Sequence, residues 1–552
     1  MKWQKITAAL AVTATIGLLL AGCGKTNSSS SNSQSTGKLA SSQVLNWSEN
    51  GQDLSTLDPS LAVDVISGTM ISNSQEGLYR IGNDSKITPG IATATKISKD
   101  KLTYTFTLRK NAHWSNGDQV TAQDFVYGWR RSVDPKTASQ YAYLYSGIKN
   151  ADKITSGKAK PTTLGIKADG KYQLTVTLEK PIEYFKLLMG FDVFFPQNEN
   201  AVKKYGKAYG TSSSKMVYDG PFKMTGWEGT NATWTLVKND QYWDKKNVHL
   251  TKIHDQVIKS TTTAFNLFQS GKLDMATLSG QQVKNEKNNN KLVIRKSSRL
   301  NYLEFNQKKV KALANTKLRQ AMSLTLNRKQ LVNNVLGDGS VTPKGFVTAG
   351  LAKDPTTGKD FATENTVNSS VTQDNAKAKK LWREGLAAVG KKSLTLTLTH
   401  DDTDQMKALS EYVQGQLEKE LPGLKITSIT VPYKTRIARE TAGNFQLVLS
   451  AWQADFSDPI SDLGIMTSTN DYNFGKWANS DYDAAITTAA NTTNSKTRWA
   501  ALAKAEKIIG TDQGVAPLSQ NVIAQMVNPK LKGLIYNTAG INYNFKSAYM
   551  AK

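Results

Sequence analysis

The sequence predicts a mixed α/β protein, on three observations. Strand-like and helix-like periods alternate along the chain, no repeat of fixed length recurs, and 552 residues allow several separate cores. At ~100 to 200 residues per domain this length corresponds to two to four compact units.

The elements are taken in chain order. Lys2 and Lys5 precede an uncharged apolar run from Ile6 to Leu20, which is too short to span a bilayer and has the form of a secretory signal. The run closes on Leu20-Ala21-Gly22-Cys23, small residues leading to the only cysteine in the chain. A lipoprotein signal peptidase reads this pattern, so residues 1–22 are expected to be removed and Cys23 to carry lipid. With that cysteine committed, no internal disulfide is available and the core alone must stabilise the fold. Residues 23–42 are rich in Ser and Asn, too polar to bury anything, and read as a flexible tether; folding should begin near Val44.

Beyond the tether, Lys101 to Leu108, Tyr172 to Leu178, Ala232 to Val237 and Ser393 to Thr399 alternate polar and β-prone residues, as half-buried strands do. Helical periods cover Thr121 to Arg131, Thr316 to Leu336, Gln373 to Val389, Asp404 to Leu421 and Ser495 to Ile509, with Gly390 and Gly510 as C-terminal stops.

The formal charge of +25 attracts polyanions. The lysines are scattered and no arginine-rich run occurs, so wall polymers and anionic lipid headgroups fit better than nucleic acid. Together with the cysteine usage this leans towards a Gram-positive surface. The four histidines, His113, His249, His254 and His400, have no metal-ligand spacing. Asp401-Asp402-Thr403-Asp404 lacks the glycine and distal glutamate of a calcium loop and is better read as a helix cap. Gly24-Lys25-Thr26 imitates the end of a phosphate loop, but Leu19 stands where the first glycine is required. No GxSxG elbow is present. No cofactor is expected.

Residues 108–131, LRKNAHWSNGDQVTAQDFVYGWRR, are followed by Pro135 and by TASQYAYL (137–144). Gly220-Pro221-Phe222, Gly226-Trp227, NDQYW (239–243), AFNLFQSGKLD (264–274), LRQAMSLTLN (318–327) and AWQADFSDP (451–459) follow in order. In these segments the chain resembles the family 5 extracellular solute-binding proteins, and among them the oligopeptide-binding lipoproteins of ABC importers.

The resemblance implies a two-lobed, periplasmic-binding-protein-like fold of class II, with a third domain and a hinge of two crossing segments. Lobe I would take residues 43–76, 201–305 and 520–552, domain II residues 77–200, and lobe III residues 306–519. The crossings would fall near Phe305-Asn306 and Pro517 to Asn521. It implies a monomer, without catalysis, on the extracytoplasmic face of the membrane, held by lipid with palmitate among its chains. Its partners would be an oligopeptide and a permease with its ATPase subunits.

A receptor for peptides of varied sequence must hold what all peptides share, so a buried carboxylate is needed for the ammonium and strand addition for the backbone. By resemblance Asp455 is that carboxylate; read from the residues alone it could equally cap the next turn. Trp452, Gln453 and Ala454 would lie on the strand that pairs with the peptide. Tyr141 and Tyr433 would line side-chain pockets or serve as ordinary core. Val65, in Val63-Asp64-Val65, would offer backbone from the opposite lobe. One departure is expected to alter the cleft: relatives carry an arginine shortly before the tryptophan of AWQADF, where this chain has Val448-Leu449-Ser450. A receptor for one signalling peptide, or a surface enzyme or chaperone on the same anchor, are the competing readings.

Overall fold

A computed structural model describes residues 38–50, 53–83 and 86–552. The expected leader, the lipidation at Cys23 and the tether as far as residue 37 lie outside the described residues.

The first sheet begins with Val44–Asn50, which runs parallel to Lys252–Ile258; Thr233–Lys238 and Phe222–Thr225 follow antiparallel. Alternation decides its inner face, Trp234 and Leu236 pointing into a core with Leu45, Trp47, Ile253 and Phe545. Leu39 bridges Ala551 and the Ala40 amide donates to the Met550 carbonyl at 2.9 Å. The chain is therefore held before Val44, and the expected free tether does not extend to Ser42.

A second antiparallel sheet centres on Thr103–Leu108, between Ala92–Ile97 and Gln173–Thr177, with Ile166–Ala168 at the edge. Helix Ala122–Val133 covers it with Phe125, Val126 and Trp129 buried. Its start is fixed by a capping box in which the Thr121 amide donates to Asp124 at 2.7 Å.

The third sheet has six strands in the order Met275–Thr277, Val515–Val527, Leu292–Phe305, Leu447–Gln453, Leu394–Asp401 and Leu424–Val431. Helices Thr316–Leu324, Asn375–Ala388 and Asp404–Glu420 bury Leu318, Trp382, Leu409 and Leu417 in a core with Leu396, Leu447 and Leu449. The two longest strands, Leu292–Phe305 and Val515–Val527, pair antiparallel along most of their length. Their register shifts between Lys296 and Leu300 and again between Asn301 and Tyr302. Before the first shift Leu292 to Lys296 lie beside the strand that Met275–Thr277 joins; after it Arg299 to Phe305 pair with Leu447–Gln453. The break thus falls at Ser297 to Arg299, opposite Asn521.

Two helices depart from the sequence reading. The expected helix Thr316 to Leu336 ends at Leu324 and restarts as Arg328–Gln330, continuing as a π-helix through Leu331–Leu336. Asn327 caps the restart, and the buried Arg328 guanidinium takes the Ser323, Leu326 and Pro517 carbonyls, drawing the chain out of helical register. Gly510 does not stop the last helix, which runs Ser495–Asp512; it lies against Val367, where a Cβ would meet side-chain atoms at 2.8 Å, and Gln513 with φ 51 makes the turn instead. As expected of a cap, Thr403 accepts from the Met406 amide at the head of Asp404–Glu420. Among the described residues no helix is long and apolar enough to cross a membrane, and no group of His, Cys, Asp and Glu is arranged to hold a metal.

Candidate ligand-binding cleft

The strand Leu447–Gln453 pairs on one side with Arg299 to Phe305. On its other side Leu394–Asp401 accompanies it only through Leu398↔Leu447 and Thr399↔Val448. From Leu449 onward that edge is unpaired among the described strands, leaving backbone donors and acceptors that an extended segment could satisfy.

The edge opens onto a cavity whose walls come from three parts of the chain. Ala62 to Val65 and Gly540-Ile541 form one wall, Gln140, Tyr141, Phe191 and Asp192 a second, and Ser450 to Gln453 with Asp455 and Tyr433 the third. A further space shares Val65 and Arg299 with the first, so the two are compartments of one cleft.

Asp455 is 5 % exposed at the inner end. Its amide donates to Ser461 Oγ at 2.7 Å, and its Oδ1 accepts from the Tyr141 hydroxyl at 3.0 Å. Oδ2 makes no hydrogen bond within 3.5 Å among the described residues, and the Tyr143 hydroxyl lies near the same carboxyl. Burial above all pushes the Asp455 carboxyl well above the usual carboxylate range, and Asp192 adds to the rise. Asp192, 2 % exposed and also with an unpartnered oxygen, is pushed up to about 7 by burial and by Asp64. Asp64 caps helix Val65–Ser74, accepting from Ser67 at 2.8 Å. Asp64, Asp192 and Asp455 line one cavity, and none of the three is ion-paired to a basic side chain among the described residues, so this end of the site favours a bound positive charge.

Aromatic rings enclose this end. Tyr472 lies 4.9 Å from Trp452 and 5.4 Å from Tyr141, and Tyr141 meets Phe191 edge-on at 5.1 Å. Trp452 is fixed by its indole N–H donating to the Ser461 carbonyl at 3.1 Å. Gln453 Nε2 donates to the Gly540 carbonyl at 2.7 Å, and the Gly540 amide to the Ala454 carbonyl at 2.7 Å. Tyr433, at the head of Tyr433–Thr441, has the Arg436 guanidinium 5.1 Å from its ring. Arg436 pairs with Asp401 at 2.6 Å and Glu440 at 2.5 Å.

Every predicted site residue that the structure describes lies in or beside this cleft. Ala454 contributes only backbone, bonded within the protein. Sequence reasoning did not single out Asp192, Tyr472, Arg299 or the Arg436 ion pairs. No local motif marks them, and only the aromatic spacing of Tyr472 and Phe474 offered a hint.

The cleft walls already touch. Besides Tyr141 and Asp455, Lys259 pairs with Asp402 at 2.8 Å, Gln140 donates to Thr441 at 3.2 Å, and Tyr184 stacks on Phe456 at 4.9 Å. A hollow between lobes joined by paired strands, lined by open backbone and unsatisfied acid, is the architecture of a solute receptor.

The model of the bacterial extracellular solute-binding proteins, family 5, matches residues 86–474. The chain belongs to this family. It is 37% identical to the dipeptide-binding protein of Lactococcus lactis subsp. cremoris (strain MG1363) over 567 residues, covering 100% of both chains. It superposes on Listeria monocytogenes OppA bound to peptide with a TM-score of 0.89 and 37% identity, over 93% of this chain and 100% of that one. Escherichia coli MppA, a murein tripeptide binding protein at 29% identity, gives a TM-score of 0.84 over 93% of this chain and 99% of its own. MppA in its unliganded open form gives 0.62 over 94% and 99%. The family is one of extracellular solute-binding proteins.

Proposed function

We propose that this protein captures short peptides between its closing lobes and delivers them, without chemical change, to an ABC-type importer. The observation that carries this reading is Asp455: a buried carboxylate with one free oxygen, at the end of an unpaired strand edge. An extended peptide laid along Ser450 to Gln453 would bond through its backbone and present its ammonium to Asp455, with Tyr141 and Asp192 alongside. Trp452 and Tyr433 would line side-chain pockets, and Val65 with its neighbours would supply backbone from the facing lobe. The peptide-bound relative and the dipeptide-binding relative support this ligand class.

The same reading places residues 43–76, 201–305 and 520–552 in lobe I, 77–200 in domain II and 306–519 in lobe III. The chain would cross between the lobes near Phe305-Asn306 and Pro517 to Asn521, with the register break of the two long strands at Ser297 to Arg299 close by. Peptide would hold the closed state by bonding both walls. Lipidation of Cys23, with palmitate among the chains, would keep a monomeric receptor at the outer face of a Gram-positive membrane beside its permease and ATPase subunits.

The test is mass spectrometry of the small molecules that copurify with the protein from cells expressing the full chain, followed by calorimetric titration of a random peptide mixture. Peptides of mixed sequence and narrow length are expected. A single species would reassign the protein to a dedicated signal, and turnover of added peptide would refute capture without catalysis.

A further inference from the structure

Arg299 is a half-buried arginine that lines both compartments of the cleft, and among the described residues its guanidinium has neither a hydrogen bond nor an ion pair. This isolation has a structural cause. The nearby charged groups, Arg436 and Asp401, are committed to each other at 2.6 Å, and Arg436 also holds Glu440. Burial lowers the tendency of Arg299 to stay charged, as for a cation that awaits its counter-ion. Five donors in a planar fork turned towards a cavity, with no acceptor supplied by the protein, match a carboxylate bidentately.

Its position is also specific. Arg299 stands opposite Gln453 on the adjacent strand, two residues short of Asp455. At about 3.4 Å per residue the two levels are about 7 Å apart along the strands, roughly the span of a two- to three-residue extended peptide once side-chain reach is added. Arg299 lies inside the register shift between Lys296 and Leu300, and such irregularities re-aim a side chain out of the regular alternation. The residues preceding Trp452 on the neighbouring strand, Val448-Leu449-Ser450, offer no cation of their own.

We propose that Arg299 is the receptor for a carboxylate of the bound solute, so that the cleft grips its ligand at both poles, cation at Asp455 and anion at Arg299. This rests on the peptide-capture reading above and adds a requirement to it. The carboxylate could be the C-terminus of a short peptide or an acidic side chain along it, since both present the same fork. Because Arg299 sits at the register break of the two long strands, its ligation also joins the ligand to the strands that connect the lobes.

Titration calorimetry with three probes tests this on the protein purified from cells expressing the full chain: tri-alanine, its C-terminal amide, and Ala-Glu-Ala amide. A C-terminal source predicts that tri-alanine binds about ten- to hundredfold tighter than either amide. A side-chain source predicts that only Ala-Glu-Ala amide gains. In either case R299Q should level the three affinities while binding tri-alanine amide as wild type does, which certifies its fold, and R299K should restore part of the difference. Equal binding of all three by wild type, or a preference that survives in R299Q, would overturn the role of Arg299 and leave the receptor reading intact. No binding of any of the three, or of the random mixture, would remove the receptor reading and this inference with it.

Discussion

The hydroxyl of Tyr141 and the carboxylate of Asp455 face each other across the cleft, 314 residues apart in sequence, joined by one hydrogen bond of 3.0 Å. That bond occupies one oxygen and leaves the other open, so the cleft is closed by a contact that still has capacity for a ligand.

Asp455→Asn keeps the size of the side chain and removes its charge. Hydrogen bonds to charged groups are worth ~1.5 to 3 kcal/mol, so peptide affinity should fall about ten- to hundredfold in calorimetric titration. Tyr141→Phe removes a single hydrogen bond, and a loss nearer two- to tenfold is expected. Unchanged affinity in Asp455→Asn would show that the ammonium sits elsewhere.

Binding should be coupled to protons. Burial raises the Asp455 carboxyl well above its usual range, and burial with Asp64 brings Asp192 to about 7. An acid raised on folding keeps its proton where the unfolded chain has lost it, so the stability of the empty protein should fall as pH rises from about 4 to 7. Asp192→Asn should flatten part of that slope in thermal melts. A bound ammonium reverses the preference, so peptide binding near pH 6 to 7 should release protons, seen as buffer-dependent heats. Heats independent of buffer would contradict this.

Gly540 has φ +68, and a Cβ there would come within 2.7 Å of the Asp455 carbonyl oxygen. Gly540→Ala combines a left-handed backbone with a clash against main chain, costing about 1 to 3 kcal/mol. A lower urea midpoint with an unchanged m-value is the expected result.

Lys259 and Asp402 pair across the cleft with side chains 40% and 24% exposed. Exposed pairs contribute ~0 to 1 kcal/mol, so Lys259→Ala should reduce the closed population of the empty protein by no more than about fivefold. Small-angle scattering in the absence of peptide would detect a larger opening, which would mark the pair as a principal latch.

Cys23→Ala should abolish incorporation of labelled palmitate and release the protein from cells. Retained label would place the lipid on another group.

The fold was largely legible because strand alternation and helix caps are local. Thr103–Leu108 falls inside its expected strand and Leu394–Asp401 overlaps the expected Ser393 to Thr399, running two residues further, and Thr121 and Thr403 sit at the heads of their helices. What was not legible is tertiary. The helix expected over Thr316 to Leu336 yields at Thr325 to Asn327 because Arg328 reaches a carbonyl of Pro517, 189 residues away. Gly510 reads as a stop by type, yet the packing of Val367 against it is what excludes a side chain. In the cleft, Asp455 stood out through its motif. Asp192, within Phe191-Asp192-Val193-Phe194, has the local appearance of a turn in the core. Arg299 acquires meaning only from the bulge that turns it and the ion pairs that leave it free.

The two long strands stay paired on either side of their register shift, and on the two-lobed reading that double connection would decide how the receptor moves. Two hydrogen-bonded ribbons side by side bend readily across their width but resist sliding and shear, as a leaf spring does. Opening would thereby be confined close to a single path, and a departing peptide would meet the same two walls in the same alignment as the one that arrives next. Reuse of the site, cycle after cycle beside a transporter, needs no separate device to bring the walls back into register.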